Sequence, residues 1–436
     1  MEKQIVILGA GCAGLAAAHE LFAHGVTASI YDKKDMWGGL CQSFVIDGYT
    51  FDTFAHVNFA TDPYVHALLE EKTPYLVHAP EAMNYSRGNW VRNPVQNNLI
   101  GLPVEERIRV IKSFLSKGGQ EEHMPKDYGA WLRLQYGTYF TENYPARYTR
   151  KYWTVEPEAL ETEWVKGRMY TPTIDEVLQG AMSEDTPNVH YTKVIHYPRY
   201  GGYQAFLAPL AEEADLRLGK ALVSLDPKKR CMCFSDGTEA NYDALISTIP
   251  LPFLIESLMI DVPQVVRRAA DRLDATGGAI VSIALSCPSR APALWFYIYD
   301  EDIYPARVYA PEIKSPNNVP KGMSAFQAEV YFSRYRPLPC RGEELGYRVV
   351  SQLEQMGVLK KSEIVFVDVR EEAYANIMFT PTIYEAREVV RSYLSSVGIY
   401  TAGRFGTWEY LWTGGSILSG RDVARSILKG METNDL

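Results

Sequence analysis

The feature that most constrains this chain is the glycine pattern that follows its first apolar segment. Residues 5–8 read IVIL and lead directly into Gly9, Gly11 and Gly14, after which an alanine-rich helical stretch begins. Gly9 permits a tight strand-to-helix turn, Gly11 lets a pyrophosphate approach the backbone, and Gly14 lets helix and strand pack closely. A second apolar segment ends at Asp32. This order of elements predicts a βαβ unit that binds a dinucleotide.

The elements around this pattern each suit one part of a dinucleotide. Free N–H groups and the dipole at a helix N-terminus favour the negative charge of a pyrophosphate. Asp32 is placed to accept hydrogen bonds from ribose hydroxyls. Gly38, Gly39 and Leu40 follow shortly after it. They resemble the glycine pair of FAD-dependent amine oxidases, protoporphyrinogen oxidases and sugar mutases, which implies that the dinucleotide is FAD and not NAD.

Composition limits the classes of function open to the chain. Its 436 residues are 47% hydrophobic and 22% charged, which is typical of a globular protein with about two to three domains' worth of core. The net charge of −9 makes nucleic acid an unexpected partner. No apolar run is long enough to span a membrane, so no membrane partner is expected. The six cysteines include no CxxC pair, which predicts no metal site and a reducing, cytoplasmic location.

The order of predicted elements favours an α/β fold whose domains are interleaved. Apolar residues at helical spacing dominate residues 104–182, whereas alternating apolar residues dominate residues 277–340. We therefore predict a discontinuous Rossmann-type FAD-binding domain, an inserted mainly helical domain and a mostly antiparallel β-sheet substrate domain. The predicted ranges are 1–62 with 201–260 and 397–436 for the FAD-binding domain, 63–200 for the helical domain and 261–396 for the sheet domain.

Six further segments resemble the UDP-galactopyranose mutases, particularly the eukaryotic-type members. They follow the order of that family and are distributed over nearly the whole chain. The segments are residues 51–57 (FDTFAHV), 90–98 (WVRNPVQNN), 151–168 (from KYW to Arg168), 197–202 (YPRYGG), 295–307 (from WFY to Arg307) and 403–410 (GRFGTWEY).

This resemblance implies a redox-neutral reaction that interconverts the pyranose and furanose forms of a nucleotide sugar. The N5 atom of reduced flavin would attack the anomeric carbon and expel the nucleoside diphosphate. Such chemistry needs FAD in its reduced form, and therefore NAD(P)H or another reductant. Helical domains in the family commonly mediate self-association, so a homo-oligomer is compatible with the resemblance.

The resemblance also assigns roles to individual residues. Arg168 and Arg307 match a diphosphate clamp, a role that suits planar guanidinium groups because they can bind phosphate oxygens at two points. His56 matches a histidine near the flavin face. The other catalytic candidates are Tyr297, Tyr410, Trp153 and Gln96, and the cofactor-binding candidates beside His56 are Gly9, Gly11, Gly14, Asp32, Gly38, Gly39, Leu40, Val223 and Arg404.

Several positions depart from the family pattern near the nucleotide. Asn93 and Val95 replace aromatic residues, and Thr149 and Gly414 replace asparagines. These changes argue against unaltered recognition of UDP-galactose. The alternative is an FAD-dependent oxidoreductase of the amine oxidase or protoporphyrinogen oxidase type, in which flavin removes a hydride. The retained arginine pair favours the mutase. The predicted aromatic cleft disfavours a third reading, in which FAD serves structure alone.

Overall fold

The structure, a computed structural model, describes residues 3–117, 125–187, 189 and 192–433. Its first βαβ unit forms where the glycine pattern predicts it, from β1 (Ile5–Leu8), α1 (Cys12–Ala23) and β2 (Ala28–Tyr31). β1 is buried along its length and pairs in parallel with β2. A strand buried in this way reads as a continuous apolar run, which is why IVIL does not alternate.

A five-stranded parallel sheet grows from this unit. Its other strands are β9 (Asp215–Arg217), β13 (Ala244–Ser247) and β19 (Ile399–Thr401), and the order is β19-β13-β1-β2-β9. Strands from distant parts of the chain therefore end at one edge, where ligands bind in open parallel sheets. The long C-terminal helix α15 (Thr413–Glu432) packs directly on α1.

A seven-stranded sheet forms the second large layer. In spatial order its strands are β18 (Ile364–Ile377), β14 (Ala275–Leu285), β17 (Ser324–Phe332), β16 (Arg307–Tyr309), β15 (Trp295–Ile298), β6 (Ala82–Ser86) and β7 (Asn89–Arg92). Neighbours are antiparallel except β15 and β6, which are parallel. β6 and β7 lie within the range 63–200 that the sequence predicts to be mainly helical. They belong to this sheet because their edge pairs with β15.

In the predicted helical segment 104–182, the described residues form five α-helices, together with turns and 3₁₀ segments. They are α3 (Val104–Leu115), α4 (Tyr128–Tyr136), α5 (Thr138–Asn143), α6 (Pro145–Tyr152) and α7 (Ile174–Met182). Their inward faces carry aromatic side chains that join one large apolar core with the three-stranded sheet described next. The helices thus form a lobe on the parallel-sheet domain.

The remaining elements connect these layers. Two of the smaller sheets have two strands each: the hairpin of β3 (Ser43–Ile46) with β4 (Tyr49–Asp52), and the pair of β5 (Tyr75–His78) with β8 (Ile195–Pro198). A separate three-stranded sheet consists of β10 (Leu222–Asp226), β11 (Cys231–Phe234) and β12 (Glu239–Asn241). The other helices are α2 (Pro63–Glu70), α8 (Ala208–Glu212), α9 (Leu251–Ser257), α10 (Gln264–Ala270), α11 (Pro311–Lys314), α12 (Gly342–Gln355), α13 (Ile383–Ser396) and α14 (Gly403–Thr407). Among the helices of the described ranges, none combines the length and apolar character needed to cross a membrane.

Candidate functional site

A cavity of about 920 Å³ lies where the parallel sheet, the seven-stranded sheet and the C-terminal helices meet. At one end it is lined by the turn from β1 to α1 and by the end of β2. At the other end it is lined by side chains of β15, β16 and the segment around Tyr410. Residues 54–62 run along the wall between these ends. One cavity is therefore lined both by the predicted dinucleotide-binding turn and by the strands that carry Tyr297 and Arg307.

The first end has the geometry that a pyrophosphate requires. Gly9 has a φ of 102°, which glycine tolerates best, and the N-terminus of α1 has no side-chain cap. A Cβ placed on Gly11 would come no closer to the protein than 3.9 Å, at Cα of Gly39. The chain thus leaves open the approach to the free N–H groups of α1, where a phosphate would bind.

Hydrogen bonds of Asp32 and Gly38 fix the backbone at this end of the cavity. One oxygen of Asp32 accepts the N–H of Ala10 at 2.7 Å, and the other accepts the N–H of Lys34 at 2.9 Å. The N–H of Gly38 donates to the carbonyl of Ala10 at 2.8 Å. Each carboxylate oxygen keeps acceptor capacity for a ribose hydroxyl. Gly39 and Leu40 also line the cavity, as the sequence predicts.

His56 lies midway along the cavity and is held in one orientation. Its Nδ1 is 2.9 Å from the carbonyl oxygen of Phe54, and its ring stacks on Tyr203 with a centroid distance of 5.1 Å. A carbonyl can only accept, so Nδ1 carries the proton and Nε2 is left as an acceptor. Burial lowers the pKa of His56 to about 4, although the carboxylate of Asp52 opposes this shift. The ring is therefore neutral at pH 7.

This pKa predicts a pH dependence of stability. Because the folded pKa of about 4 lies below the ordinary value of 6.5, the unfolded chain binds more protons between these values, and stability falls as pH is lowered through them. We expect the wild type to lose about 2 kcal/mol more than His56→Gln over this interval, less than the full shift implies because the ring faces an open cavity. Urea unfolding at a series of pH values measures the difference, and parallel profiles for the two proteins would contradict the prediction.

Arg307 is fixed by neighbours on the two adjacent strands. It lies directly opposite Tyr297 on β15 and Glu329 on β17. Its Nε donates to Glu329 at 2.8 Å, and a second nitrogen donates to the other carboxylate oxygen at 3.0 Å. Burial opposes ionisation of Glu329, but the guanidinium of Arg307 outweighs it and holds the pKa of that carboxyl below its usual range. Arg307 therefore presents a rigid, charged edge to the cavity beside Tyr297.

Glu329 also connects β17 to the cavity-wall segment that contains His56. Its Oε1 accepts the backbone N–H of Ala55 at 2.8 Å, and its Oε2 accepts the hydroxyl of Tyr331 at 2.7 Å. Glu329 is the one carboxylate in the apolar run of β17. A lone charged residue in such a strand is a usable sequence signal, although Glu329 is not among the residues that the family resemblance singles out.

The other two arginines of the site, Arg168 and Arg404, both lie against the ring of Tyr410. The guanidinium carbon of Arg168 lies 4.0 Å from the Tyr410 ring centroid and 4.6 Å from that of Trp412. Arg404 lies 5.0 Å from the same Tyr410 ring, and one of its terminal nitrogens donates to Asn376 at 3.2 Å. Its Nε is buried without a hydrogen-bond partner among the described residues, which suits an acceptor on a bound ligand.

Lys314 and Asp52 form a buried ion pair at the cavity wall that the sequence did not reveal. Both side chains are almost fully buried, and the ammonium of Lys314 bonds directly to Asp52. Asp52 also accepts from Ser43 Oγ at 2.7 Å and from the Tyr203 N–H at 2.8 Å. Burial opposes ionisation of Asp52, but Lys314 holds its pKa below the ordinary value.

The structure does not place every predicted site residue on the cavity surface. Those that line it are Gly9, Gly11, Asp32, Gly38, Gly39, Leu40, His56, Tyr297, Arg307, Arg404 and Tyr410. Gly14 instead faces the carbonyl of Gly9, in agreement with its predicted packing role. Arg168 lies behind Tyr410, while Trp153 is 4% exposed and packs against Tyr410, Trp164 and Phe379.

Two predicted residues lie further away. Gln96 is in a 3₁₀ segment, Val95–Asn97, that packs against α7 of the helical lobe, and it is not among the cavity-lining residues. The side chain of Val223 is 58% exposed, next to the cavity-lining residues Ala221 and Leu222. The roles of all these residues in binding stay predictions. Among the described residues, no group of three or more His, Cys, Asp or Glu side chains is arranged to hold a metal ion.

Comparison with known proteins places this geometry among flavoenzymes. The family model of flavin-containing amine oxidoreductases matches residues 12–428. The crystal structure of a reduced UDP-galactopyranose mutase superposes with a TM-score of 0.92 at 24% identity, over 98% of this chain and 94% of that chain. A putative protoporphyrinogen oxidase from Exiguobacterium sp. 255-15 superposes with a TM-score of 0.75 at 16% identity, over 98% and 99% of the two chains. These matches confirm the predicted fold class and the resemblance.

Similarity to curated proteins is shorter. A probable UDP-galactopyranose mutase from Klebsiella pneumoniae is 25% identical over 209 residues, which cover 44% of this chain and 52% of the relative. A 4,4'-diapophytoene desaturase from Staphylococcus haemolyticus is 40% identical over 67 residues, which cover 15% of this chain and 13% of the relative. The chain thus matches about half of the first relative's length and a much smaller part of the second.

Proposed function

This chain belongs to the family of flavin-containing amine oxidoreductases, whose cofactor here is FAD, and from that premise we propose that it is an FAD-dependent mutase acting on a nucleotide sugar. The proposed reaction interconverts the pyranose and furanose forms of the sugar. When bound and reduced, FAD supplies a nucleophile for the anomeric carbon. The substrate is proposed to differ from UDP-galactose, in line with the departures at Asn93, Val95, Thr149 and Gly414.

The residues that would hold FAD are those of the first cavity end. The uncapped start of α1 and Gly11 would receive the pyrophosphate, and Asp32 would accept from a ribose. Arg404, with its buried unpartnered Nε, would donate to the cofactor further along the cavity. Neutral His56 would present an acceptor nitrogen at the cavity wall.

The observation that carries the mutase proposal is the face of arginine and tyrosine side chains at the other end of the cavity. Arg307 and Tyr297 are opposite each other across two strands, and Arg404 and Tyr410 line the same cavity, while Arg168 supports the Tyr410 ring without lining it. A departing diphosphate gains negative charge, which guanidinium groups and phenol hydroxyls stabilise when they are already in position. A neutral amine or a porphyrin has no diphosphate for such a face to hold.

A different observation favours the second candidate, an FAD-dependent oxidoreductase. Arg307 is already neutralised by Glu329 through two hydrogen bonds. Val95 and Thr149, at positions where the resemblance places nucleotide contacts, are buried away from the cavity. Thr149 uses its hydroxyl within its own helix, where it donates to the carbonyl of Pro145 at 2.8 Å. Fewer groups than the family pattern implies are therefore available for a nucleobase.

Chemical trapping distinguishes the two candidates. The holoenzyme is reduced with dithionite, incubated with a panel of nucleotide sugars and treated with cyanoborohydride, and the released flavin is analysed by mass spectrometry. A flavin whose mass has increased by that of a sugar would support the mutase and identify the sugar. Unmodified flavin with every sugar, together with anaerobic flavin reduction by an amine or alcohol donor, would support the oxidoreductase.

Replacement of Arg307 tests the phosphate face directly. We expect Arg307→Ala to weaken nucleotide-sugar binding by about 2–4 kcal/mol, because a charge-assisted contact is lost at a desolvated site. Calorimetric titration measures the change. Since this variant leaves Glu329 buried without its partner, Arg307→Ala is compared with Arg307→Ala/Glu329→Gln, and the exposed ion-pair variant Arg290→Ala serves as the control. Equal affinity in all variants would remove Arg307 from the substrate site.

A further inference from the structure

Two cysteines meet at the cofactor end of the cavity, where the function proposed above assigns them no role. Cys12 is the first residue of α1, and Cys41 ends the short 3₁₀ segment Gly39–Cys41. Both line the cavity. Their backbones are held together, because Gly11 and Gly38 form a β-bridge and the Cys41 N–H donates to the Gly38 carbonyl at 3.0 Å. The two thiols therefore belong to one rigid unit around the pyrophosphate groove.

Contacts around the start of α15 bring the two cysteine segments together. Cys41 Sγ is 3.8 Å from the hydroxyl of Thr413, the first residue of α15. A Cβ built on Gly39 would lie 3.1 Å from Cα of Gly11, so the backbones next to Cys41 and Cys12 are in direct contact. The largest influence on the pKa of each thiol is the other thiol, in agreement with this closeness. A disulfide joins cysteines whose Cα atoms are about 4.4–6.8 Å apart.

We propose that Cys12 and Cys41 form a reversible disulfide that links the first turn of α1 to the glycine pair and slows the release of FAD. The bond would join two segments that both contact the pyrophosphate groove. A covalent link between them restricts the opening through which the nucleotide would leave. The redox state of the two thiols would thus control the rate at which FAD is released.

The chemistry balances with a peroxide as the oxidant. The thiolate of Cys12 attacks hydrogen peroxide, the O–O bond breaks, and a sulfenic acid and water form. The thiol of Cys41 then attacks this sulfur, and the S–S bond forms as a second water leaves. Two thiols are oxidised and one peroxide is reduced, with two molecules of water as the product.

The electrostatics assign the order of attack. Hydrogen bonding with Cys41 lowers the pKa of Cys12, and the position of Cys12 at a helix N-terminus favours the same thiolate. Interaction with Cys12 raises the pKa of Cys41 well above its ordinary value. Elsewhere, burial raises the pKa of Cys287 and of Cys340, which makes both poorer nucleophiles. Cys12 is therefore the first thiol to react.

Peptide mapping of the holoenzyme tests the proposal. The purified protein is treated with hydrogen peroxide, quenched with catalase, alkylated under denaturing conditions without reductant and digested for mass spectrometry. We expect two of the six cysteines to escape alkylation, a peptide that joins residues 12 and 41, and its loss after dithiothreitol. Cys231→Ser should keep this peptide and Cys12→Ser should lack it. Sulfinic acid at Cys12 without the joined peptide, or bridges elsewhere, would overturn the proposal.

The rate of flavin release is a second readout, because a disulfide that does not restrain the cofactor would leave this rate unchanged. In mild urea the fluorescence of released FAD should rise several-fold more slowly for the oxidised holoenzyme than for the reduced one, and dithiothreitol should restore the faster rate. Cys12→Ser should show one rate under both conditions. Equal rates for oxidised and reduced wild type would overturn the link to cofactor retention. The mutase or oxidoreductase chemistry is tested separately by trapping, so failure here leaves that result unchanged.

Discussion

Replacement of Lys314 by methionine is expected to destabilise the protein by about 3–5 kcal/mol, since it leaves a carboxylate buried without its counter-charge. Lys314 is 2% exposed and Asp52 is 1% exposed. The other partners of Asp52 are neutral donors: Ser43, the hydroxyl of Tyr197 at 2.8 Å and the backbone N–H of Tyr203. These donors ease the burial of a negative charge but do not replace the ammonium.

The experiment is equilibrium urea unfolding at pH 7, followed by circular dichroism. Lys321→Met changes an exposed lysine nearby and should have little effect. The double variant Lys314→Met/Asp52→Asn should recover most of the loss, because it removes both charges together. If Lys314→Met is no less stable than Lys321→Met, the ion pair does not contribute as the structure implies.

Replacement of Gly11 by valine is expected to yield folded protein that purifies without flavin. Gly11 has a φ of −80°, which any residue can adopt, and a Cβ there meets no protein atom closer than 3.9 Å. The branched side chain would therefore occupy only the space that a pyrophosphate needs. The flavin absorbance per protein chain measures the loss, and circular dichroism checks the fold.

Gly14→Ala is the matched variant in the same loop. A Cβ on Gly14 would lie 2.0 Å from the carbonyl oxygen of Gly9, so this change should damage the packing of α1 on β1 rather than the phosphate site alone. We expect it to lower the yield of folded protein, whereas Gly11→Val should not. A yellow Gly11→Val protein would show that the pyrophosphate lies elsewhere.

The two ends of the cavity differed in how far the sequence predicted them. The nucleotide end depends on Gly9, Gly11, Gly14 and Asp32, which lie within one βαβ unit and act through local backbone geometry. Their spacing alone therefore specified both the turn and the groove. The glycine pair at Gly38 follows in the same short segment, and the Gly38 N–H donates to the carbonyl of Ala10.

The reaction end depended on partners that no local pattern identifies. The sequence singled out Arg307 but not Glu329, which neutralises it from the next strand. The resemblance assigns Arg168 and Trp153 to the cleft; in the structure both contact Tyr410 without lining the cavity, and their roles stay predictions. Within the range 63–200, which the sequence predicts to be mainly helical, β6 and β7 join the seven-stranded sheet because β6 pairs with β15 and β7 pairs with β6.

The sequence by itself determined the fold class, the flavin cofactor and the nucleotide groove, because each follows from local spacing or from a family pattern that spans the whole chain. Only the tertiary structure decided which charges are paired and which side chains face the cavity. Lys314 and Asp52 are far apart in sequence, as are Cys41 and Thr413, which are in contact. Such contacts depend on strand register and helix packing, which form only when the whole chain has folded.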